Sequence, residues 1–387
     1  MKGALPGVGV MTFFSRRLEE VADFTLGKML DEKKNKGELL PYLANINVRW
    51  GEFDLTDLRQ MRFEHHELER FSLKHGDIIM CEGGEPGRCA IWKDQNSNMM
   101  IQKALHRIRP KNGLNSQFLY YNFLCMGKIN GFDGLFTGST IKHLPKQQLA
   151  KLEIKIPPLG TQENIATILT QYDDLIENNR RRIQLLEESA RLLYKEWFVH
   201  LRFPGHEHVK VVDGVPEGWT KEPLENLLIL QRGFDLPTDK RKEGDFPIYA
   251  STGINGTHSK AKVKAPGVVT GRSGSLGTVM YISKDFWPLN TTLWVKEFKK
   301  VSPLFATFLL RSMSLEGYNG GAAVPTLNRN DVHKIEVLCP SSKLIRDFDE
   351  QVLPLFTQTE KLGDYNKKLG QARDLLLPKL MSGEIVV

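Results

Sequence analysis

Two long stretches of the sequence place apolar residues at alternating spacings of four and three, the heptad pattern of helices that pack along a seam. The first begins after two prolines, takes Thr161 as its N-cap and runs to about His200. The second runs from Ser342 to Met381. A helix of roughly 40 residues spans roughly 60 Å, at about 1.5 Å per residue. The pattern predicts two long helices.

The two seams can pack on each other. The first consists of Ile165, Leu169, Tyr172, Ile176, Asn179, Ile183, Leu186, Ala190, Leu193 and Trp197. Its counterpart in the second helix consists of Phe348, Val352, Leu355, Thr359, Leu362, Asn366, Leu369, Arg373, Leu376 and Leu380. The asparagines in the seams either fix the register of the pair or are tolerated surface residues. Pro354 is expected to kink the second helix or to break its first turns.

A different pattern precedes each helix, with short apolar runs separated by glycine-rich turns. Such a pattern is typical of an α/β or mainly β globular part. The sequence therefore predicts four segments. They are a globular domain at 1–157, a helix at 158–203, a second globular domain at 204–340 and a second helix at 341–387.

The two halves of the chain resemble each other, so the segments form an internal repeat. The matched pairs, in chain order, are Leu18 with Leu224, Gly27 with Gly233, Pro41 with Pro247, Gly87 with Gly277, Ser116 with Ser302, Thr140 with Thr326 and Pro157 with Pro340. The separation between matched residues shrinks along the chain, which indicates shorter loops in the second copy. The pattern predicts an α+β fold with an internal pseudo-twofold repeat.

Composition makes this a soluble globular chain. Hydrophobic residues make up 41% and charged residues 26% of the 387 residues, and no apolar run approaches the roughly 20 residues that span a bilayer. The segment 1–11 does not resemble a signal peptide. We expect a cytoplasmic protein without a membrane segment.

The net charge of +7 favours a polyanionic partner without identifying one. The excess lies in the globular segments, which carry +4 and +3, whereas the helical segments carry −1 and 0. This division is expected if the globular segments face phosphates and the helices face protein, although basic runs are also common on solvated surfaces.

Three sets of residues are candidate contacts to such a polyanion. The first is a basic loop that occurs in both copies, the second lies on glycine-rich turns, and the third follows a segment that we expect to be a flexible loop. Their members are, in that order, Lys33, Lys34, Lys36, Lys240, Arg241 and Lys242; Arg88, Arg272 and Ser273; and Thr140, Lys142, His143, Thr326, Asn328 and Arg329. Arginine and asparagine suit hydrogen bonding to bases, and glycine permits close approach of a backbone. The same glycines also suit tight hairpins.

The sequence lacks the motifs that would indicate ATP binding or methyl transfer. No G-x-x-x-x-G-K-[ST] string indicates an ATP site, and no N-P-P-Y-like string indicates an amino-methyltransferase. The G-R-S-G-S-L-G string lies between apparent strands and does not open a helix, so it does not indicate a dinucleotide or S-adenosylmethionine site. The four cysteines and the His65–His66 pair lack metal-ligand spacing. We expect no catalytic residue, metal or cofactor in this chain.

The chain resembles the specificity subunits of type I restriction-modification systems over nearly its whole length. The strings that carry the resemblance are I-P-P-L-G-T-Q-E-N-I-A at 156–166, V-P-E-G-W at 215–219, F-P-I-Y-A-S-T-G-I-N-G at 246–256, T-G-R-S-G-S-L-G-T-V at 270–279 and L-L-P-K-L-M-S-G-E-I at 376–385. The first domain departs from the family, because it starts with G-V-M-T-F-F-S-R-R-L at 9–18 and lacks a clear P-x-G-W.

The resemblance implies two target recognition domains, held apart by two antiparallel conserved helices. Each domain would read one half of a split site in double-stranded DNA. The partners implied are two methyltransferase subunits, which use S-adenosylmethionine to methylate adenine at N6, and restriction subunits, which use ATP and Mg²⁺.

Two other classes of protein compete with this interpretation. A self-sufficient DNA methyltransferase or nuclease is disfavoured by the missing motifs. A coiled-coil scaffold whose globular repeats bind protein is disfavoured by the strings that resemble target recognition domains.

Overall fold

A computed structural model of the chain describes residues 12–31, 35–138, 140–320 and 324–387. The chain divides into two compact units. Unit 1 comprises Met1–Asn178 with Tyr365–Val387, and unit 2 comprises Asn179–Asp364. Each unit contains one globular part and about half of each long helix. The units therefore divide both helices, whereas the sequence predicted helical segments separate from the globular ones.

The globular part of unit 1 contains three sheets, with strand orders β2-β8-β5-β6, β4-β3-β7 and β1-β9. All strand pairs in them are antiparallel except β3 with β7. The elements are β1 (Phe14–Arg17), α1 (Leu18–Val21), β2 (Ala22–Leu26), β3 (Glu38–Leu43), β4 (Arg59–Phe63), α2 (His65–Phe71), β5 (Ile78–Cys81), β6 (Cys89–Ile91), β7 (Met100–Ile101), β8 (Leu105–Pro110), α3 (Ser116–Lys128), α4 (Lys146–Ala150), β9 (Glu153–Ile156) and the long helix α5 (Leu159–Tyr194).

The globular part of unit 2 repeats this arrangement, with strand orders β13-β19-β16-β17, β15-β14-β18 and β12-β20. Here β14 with β18 is the parallel pair. A hairpin, β10 (Val211–Val212) and β11 (Val215–Pro216), precedes it. The remaining elements are β12 (Thr220–Pro223), β13 (Leu228–Arg232), β14 (Phe246–Ala250), β15 (Gly253–His258), β16 (Gly267–Gly271), β17 (Val279–Ile282), β18 (Trp287–Pro288), β19 (Thr292–Phe298), α6 (Pro303–Ser312), α7 (Arg329–His333), β20 (Glu336–Cys339) and the long helix α8 (Ser342–Ser382).

Equivalent backbone hydrogen bonds establish the repeat. The Leu18 N–H donates to the Leu152 carbonyl over 2.8 Å, and the Leu224 N–H donates to the Ile335 carbonyl over 2.9 Å. The donors Leu18 and Leu224 are the pair that the sequence matches at the start of the repeat. The acceptors Leu152 and Ile335 have the same separation in sequence as the pair matched at its end, Pro157 and Pro340. The α+β fold class, with two similar α/β domains, two long helices and an internal pseudo-twofold repeat, is confirmed.

Two predicted matches inside the repeat are wrong, the first by one position and the second by three. The first concerns a helix cap. The side chains of Asn115 and Ser302 each cap a helix by accepting a backbone hydrogen bond in its first turn. Asn115, and not Ser116, is therefore the equivalent of Ser302.

The second wrong match concerns the loop before α4 and its counterpart before α7. The Leu144 and Leu327 N–H groups donate to carbonyls at equivalent strand ends, so these leucines correspond. Their register excludes the match of Thr140 with Thr326. Short strings in loops of unequal length align equally well in several registers, whereas backbone bonds select one.

The long helices differ from the prediction at two points. Helix α5 begins at Leu159 and passes into a π-helical turn at Lys195–Val199, so Thr161 lies within the first turn and is not the N-cap. Helix α8 is continuous from Ser342 to Ser382, so the break expected at Pro354 does not occur. Pro354 lies on the exposed face of α8, outside the seam.

The two helices run antiparallel within unit 1. The Arg373 guanidinium donates to the Asp173 carboxylate, and the Asn366 amide donates to the Ile176 carbonyl over 3.4 Å. Residue numbers therefore increase along α5 in the direction in which they decrease along α8. The Asn366 bond favours a role in register over that of a tolerated surface residue.

Burial along α5 follows the seam. Every seam residue of both helices is buried or half-buried. Between residues 174 and 189, all side chains are exposed except those of Ile176, Asn179, Ile183 and Leu186. In unit 2, the Phe348 ring lies 5.9 Å from Tyr194 and 6.0 Å from Trp197.

None of the helices in the described ranges has the length and apolar character needed to cross a membrane.

Candidate nucleic-acid interface

Two of the predicted sets of residues meet on unit 2. The turn after β16, with Arg272 and Ser273, is bonded to the loop before α7. The Leu327 N–H donates to the Arg272 carbonyl over 2.8 Å, and the Gly274 N–H donates to the Pro325 carbonyl over 3.0 Å. Ser273 and Thr326 also form an antiparallel bridge. Segments that are distant in sequence therefore form one continuous surface.

This surface encloses an open cleft of about 400 Å³ that three arginines line, Arg232, Arg272 and Arg329. Thr326 and Asn328 lie beside them. The sequence analysis missed Arg232. The feature that could have identified Arg232 is its position. It ends β13 and lies directly before Gly233, the glycine that matches Gly27 in the first copy.

The three guanidinium groups differ in burial and in the number of contacts they make within the protein. Arg272 is half-buried, and its Nη1 donates to the Asn290 carbonyl over 3.3 Å. The Arg232 side chain is 52% exposed and lies 3.7 Å from Asp235. Arg329 is exposed and makes no side-chain hydrogen bond or ion pair to any residue that the structure describes. The cleft therefore presents positive charge with most of its N–H donors free to bind an anion or a base edge.

The neighbouring polar residues partly serve the fold. The Asn328 side-chain oxygen caps α7 by accepting from the Asn330 N–H over 3.0 Å, which leaves its amide group as a donor. The Thr326 hydroxyl donates to the Val324 carbonyl over 3.0 Å.

The equivalent surface of unit 1 has a different charge. The Leu144 N–H donates to the Glu82 carbonyl over 2.8 Å, as the Leu327 N–H does to Arg272, so Glu82 occupies the position of Arg272. Thr140 and Lys142 are exposed on the adjoining loop, with the Lys142 Nζ 5.5 Å from the Phe136 ring centre.

Histidines near this surface of unit 1 are structural or peripheral. His106 is fully buried, its Nε2 bonds to the Leu144 carbonyl over 2.8 Å, and burial lowers its pKa. Burial therefore favours the neutral form of this imidazole. His143 is exposed and exchanges backbone hydrogen bonds with Thr137.

Two of the arginines chosen from the sequence are occupied within the fold. The Arg88 side chain is 14% exposed, bonds to Glu85 over 2.7 Å and donates to the Asn45 carbonyl over 2.9 Å. Arg241 donates to the side chain of Asn255 over 2.7 Å and to its carbonyl. These contacts hold loops together and leave few donors for a ligand.

The lysines of the basic loops are less constrained. Lys36, Lys240 and Lys242 are all exposed. Lys33 and Lys34 lie outside the described residues.

Burial raises the pKa of the Cys81, Cys125 and Cys339 thiols, which makes them poor nucleophiles. Within the described ranges, no three His, Cys, Asp or Glu side chains are placed to hold a metal ion.

The chain combines a repeated α/β part, two paired long helices and, on unit 2, a cleft lined by three arginines. The family described as "Type I restriction modification DNA specificity domain" matches residues 12–188 and 216–351. The chain belongs to this family.

Two curated relatives extend over most of the chain. The type I restriction enzyme MjaIX specificity subunit of Methanocaldococcus jannaschii is 27% identical over 81% of this chain and 78% of its own length. The HindI specificity subunit of Haemophilus influenzae is 24% identical over 94% of this chain and 99% of its own length. The crystal structure of the S subunit of a type I restriction-modification system from M. genitalium covers 96% of both chains at a TM-score of 0.59 and 18% identity, and so shares the fold.

Proposed function

We propose that the chain recognises a bipartite site in double-stranded DNA, with one half-site read by each globular part. The observation that carries this proposal is the repetition of one α/β part, with the same two loops bonded together at the same strand end, Glu82 to Leu144 and Arg272 to Leu327. Two copies of one reading surface with different side chains suit two half-sites of different sequence.

The charge of the described residues supports binding to DNA. Lysine and arginine neutralise phosphates and release counterions, and arginine also offers a planar pair of donors to base edges. The cleft of unit 2 has three arginines, while exposed lysines surround both globular parts.

The long helices are the proposed docking surface for partner subunits. On α5 and the π-helical turn that follows it, Leu185, Leu192 and Val199 lie at heptad spacing and are 60%, 46% and 52% exposed. This stripe lies away from the buried seam, so a helix of a methyltransferase subunit can bury it. We propose two methyltransferase subunits, one for each copy of the repeat, and restriction subunits that join them.

We assign the chemistry to those partners. S-adenosylmethionine would bind the methyltransferase subunits, and ATP with Mg²⁺ would bind the restriction subunits. This chain itself is proposed to be non-catalytic, because its sequence lacks the ATP and amino-methyltransferase motifs.

Reconstitution with labelled S-adenosylmethionine tests the proposal. The chain alone and the methyltransferase subunits alone should each transfer no label to DNA, and the mixture should transfer label to adenine. Label transferred by the chain alone would favour a self-sufficient enzyme. A complex of the chain with the methyltransferase subunits that does not bind DNA would favour a protein-binding scaffold.

A matched pair of variants tests the docking surface. Leu192→Glu should abolish methylation by the mixture while leaving the fold intact, because the side chain is exposed in the free chain. Gln184→Glu introduces the same charge on an exposed position off the stripe and should leave methylation unchanged.

A further inference from the structure

Both backbone groups of Arg272 are fixed by hydrogen bonds to distant segments. Its N–H donates to the Thr291 carbonyl over 2.8 Å, and its carbonyl accepts from the Leu327 N–H over 2.8 Å. A Cβ at Gly271 would lie 1.8 Å from the Ser275 carbonyl oxygen, so only glycine permits the loop to fold back at this point. The direction in which Arg272 leaves the backbone is therefore preset.

The side chain of Arg272 is positioned by a contact within the protein, but most of its hydrogen-bond donors have no partner there. It is half-buried in the cleft and uses one hydrogen bond, to the Asn290 carbonyl, out of five N–H donors. Arg88 and Arg241, by contrast, spend their donors on internal acceptors.

We propose that Arg272 reads a guanine in the half-site bound by unit 2, and that the exposed Arg232 and Arg329 contact the phosphates beside it. This inference rests on the proposed function. In the major groove, guanine presents two adjacent acceptors, O6 and N7, which match the paired donors of a guanidinium group. A phosphate contact needs only positive charge, which exposed and less constrained side chains supply.

The guanine contact belongs to one half-site only. The position of Arg272 is taken in unit 1 by Glu82, whose carboxylate accepts hydrogen bonds and is repelled by O6 and N7. The two half-sites should therefore differ at the equivalent base pair.

Arg272→Lys separates a base contact from a phosphate contact, because lysine keeps the charge and loses the planar fork. Methylomes of cells that carry the methyltransferase subunits with either chain provide the readout. We expect a guanine in the wild-type half-site of unit 2 that becomes degenerate in the variant. In binding assays, discrimination at that base pair should fall about 5- to 150-fold. Arg346→Lys, at an exposed position on α8, is the matched control and should leave the motif unchanged.

Arg272→Gln is a second variant with its own expected result. Glutamine pairs with adenine, so the guanine position should shift towards adenine. Thermal melting of both variants, compared with the wild type, checks that they fold.

Each outcome decides between the two proposals. A wild-type methylome without a bipartite motif overturns the proposed function. A bipartite motif that both folded variants preserve overturns only the guanine contact, whether methylation stays normal or weakens equally at all sites.

Discussion

The Tyr121 hydroxyl donates a hydrogen bond of 2.8 Å to the Asp173 carboxylate, which joins α3 to α5 inside unit 1. The Arg373 guanidinium of α8 donates to the same carboxylate and also to Asp374. Lys128 of α3 lies 2.6 Å from Asp374. A polar network thus connects the globular part of unit 1 to both long helices.

The equivalent positions of unit 2 are apolar. In the registers set by the helix caps and by the ends of the repeat, Tyr121 corresponds to Phe308 and Asp173 to Phe356, whose rings lie 5.8 Å apart. Arg373 corresponds to Ala190, which is fully buried. The repeat therefore uses charges at one junction between domain and helices, and aromatic packing at the other.

The network predicts that Asp173→Ala is costly. Arg373 is half-buried and would lose its main partner, so we expect the free energy of unfolding to fall by about 1–3 kcal/mol. Asp174→Ala, at the exposed neighbouring position, should change it by less than about 0.5 kcal/mol. Urea unfolding measures both, and equal losses would show that the network contributes nothing.

A second prediction concerns a half-buried carboxylate in unit 2. Asp349 accepts a 2.9 Å hydrogen bond from the Ser302 hydroxyl, and burial raises its pKa above the usual 3.8. Between 3.8 and the raised pKa, the folded state binds more protons than the unfolded state, so this group makes the protein less stable as pH rises through that window. Asp349→Asn keeps the acceptor and removes the charge.

We therefore expect Asp349→Asn to raise the free energy of unfolding at pH 7, with the gain disappearing as the pH falls towards 3.8. Urea titrations of wild type and variant across this range measure the difference. Glu350→Gln, at an exposed neighbouring position, is the control. A gain independent of pH would assign the effect to something other than the charge.

A third prediction compares adjacent leucines on α5. Leu186 lies in the seam and is half-buried, whereas Leu185 is 60% exposed. Leu186→Glu should lower the free energy of unfolding by about 2–4 kcal/mol, because it places a charge in the seam. Leu185→Glu should leave stability within about 0.5 kcal/mol and weaken methyltransferase binding instead. Similar melting temperatures for both variants would contradict the seam.

The fourth prediction concerns salt. Arg329→Ala removes one proposed phosphate contact, so it should weaken binding to specific and unrelated DNA alike. The slope of log affinity against log salt concentration should become shallower by about 0.9. A loss confined to the specific site, with an unchanged slope, would instead place Arg329 on a base.

Much of the fold could be predicted from the sequence because it depends on local patterns. The heptad spacing located both helices, and repeated strings gave the register at both ends of the repeat. The middle register could not be obtained this way, because loop lengths differ and the equivalence of Glu82 with Arg272 depends on backbone bonds between distant segments.

Candidate contacts were harder to predict than elements. Arg88 and Arg272 look alike in sequence, since both occupy glycine-rich turns, yet Arg88 finds Glu85 and the Asn45 carbonyl nearby. Arg232 was missed because only the folded β13 brings it beside Arg329. Which basic side chain stays free depends on acceptors supplied by tertiary structure.

Exchange of residues 205–340 for the matching segment of a relative tests the central claim most directly. The relative should keep aromatic residues at the positions of Phe305 and Phe308, which pack against Tyr194 at ring distances of 5.8 and 5.5 Å. Methylome sequencing of cells that carry the hybrid and the methyltransferase subunits provides the measurement. We predict that one half-site changes to that of the relative while the other half-site stays the same. A change in both half-sites, or in neither, would contradict the assignment of one half-site to each globular part.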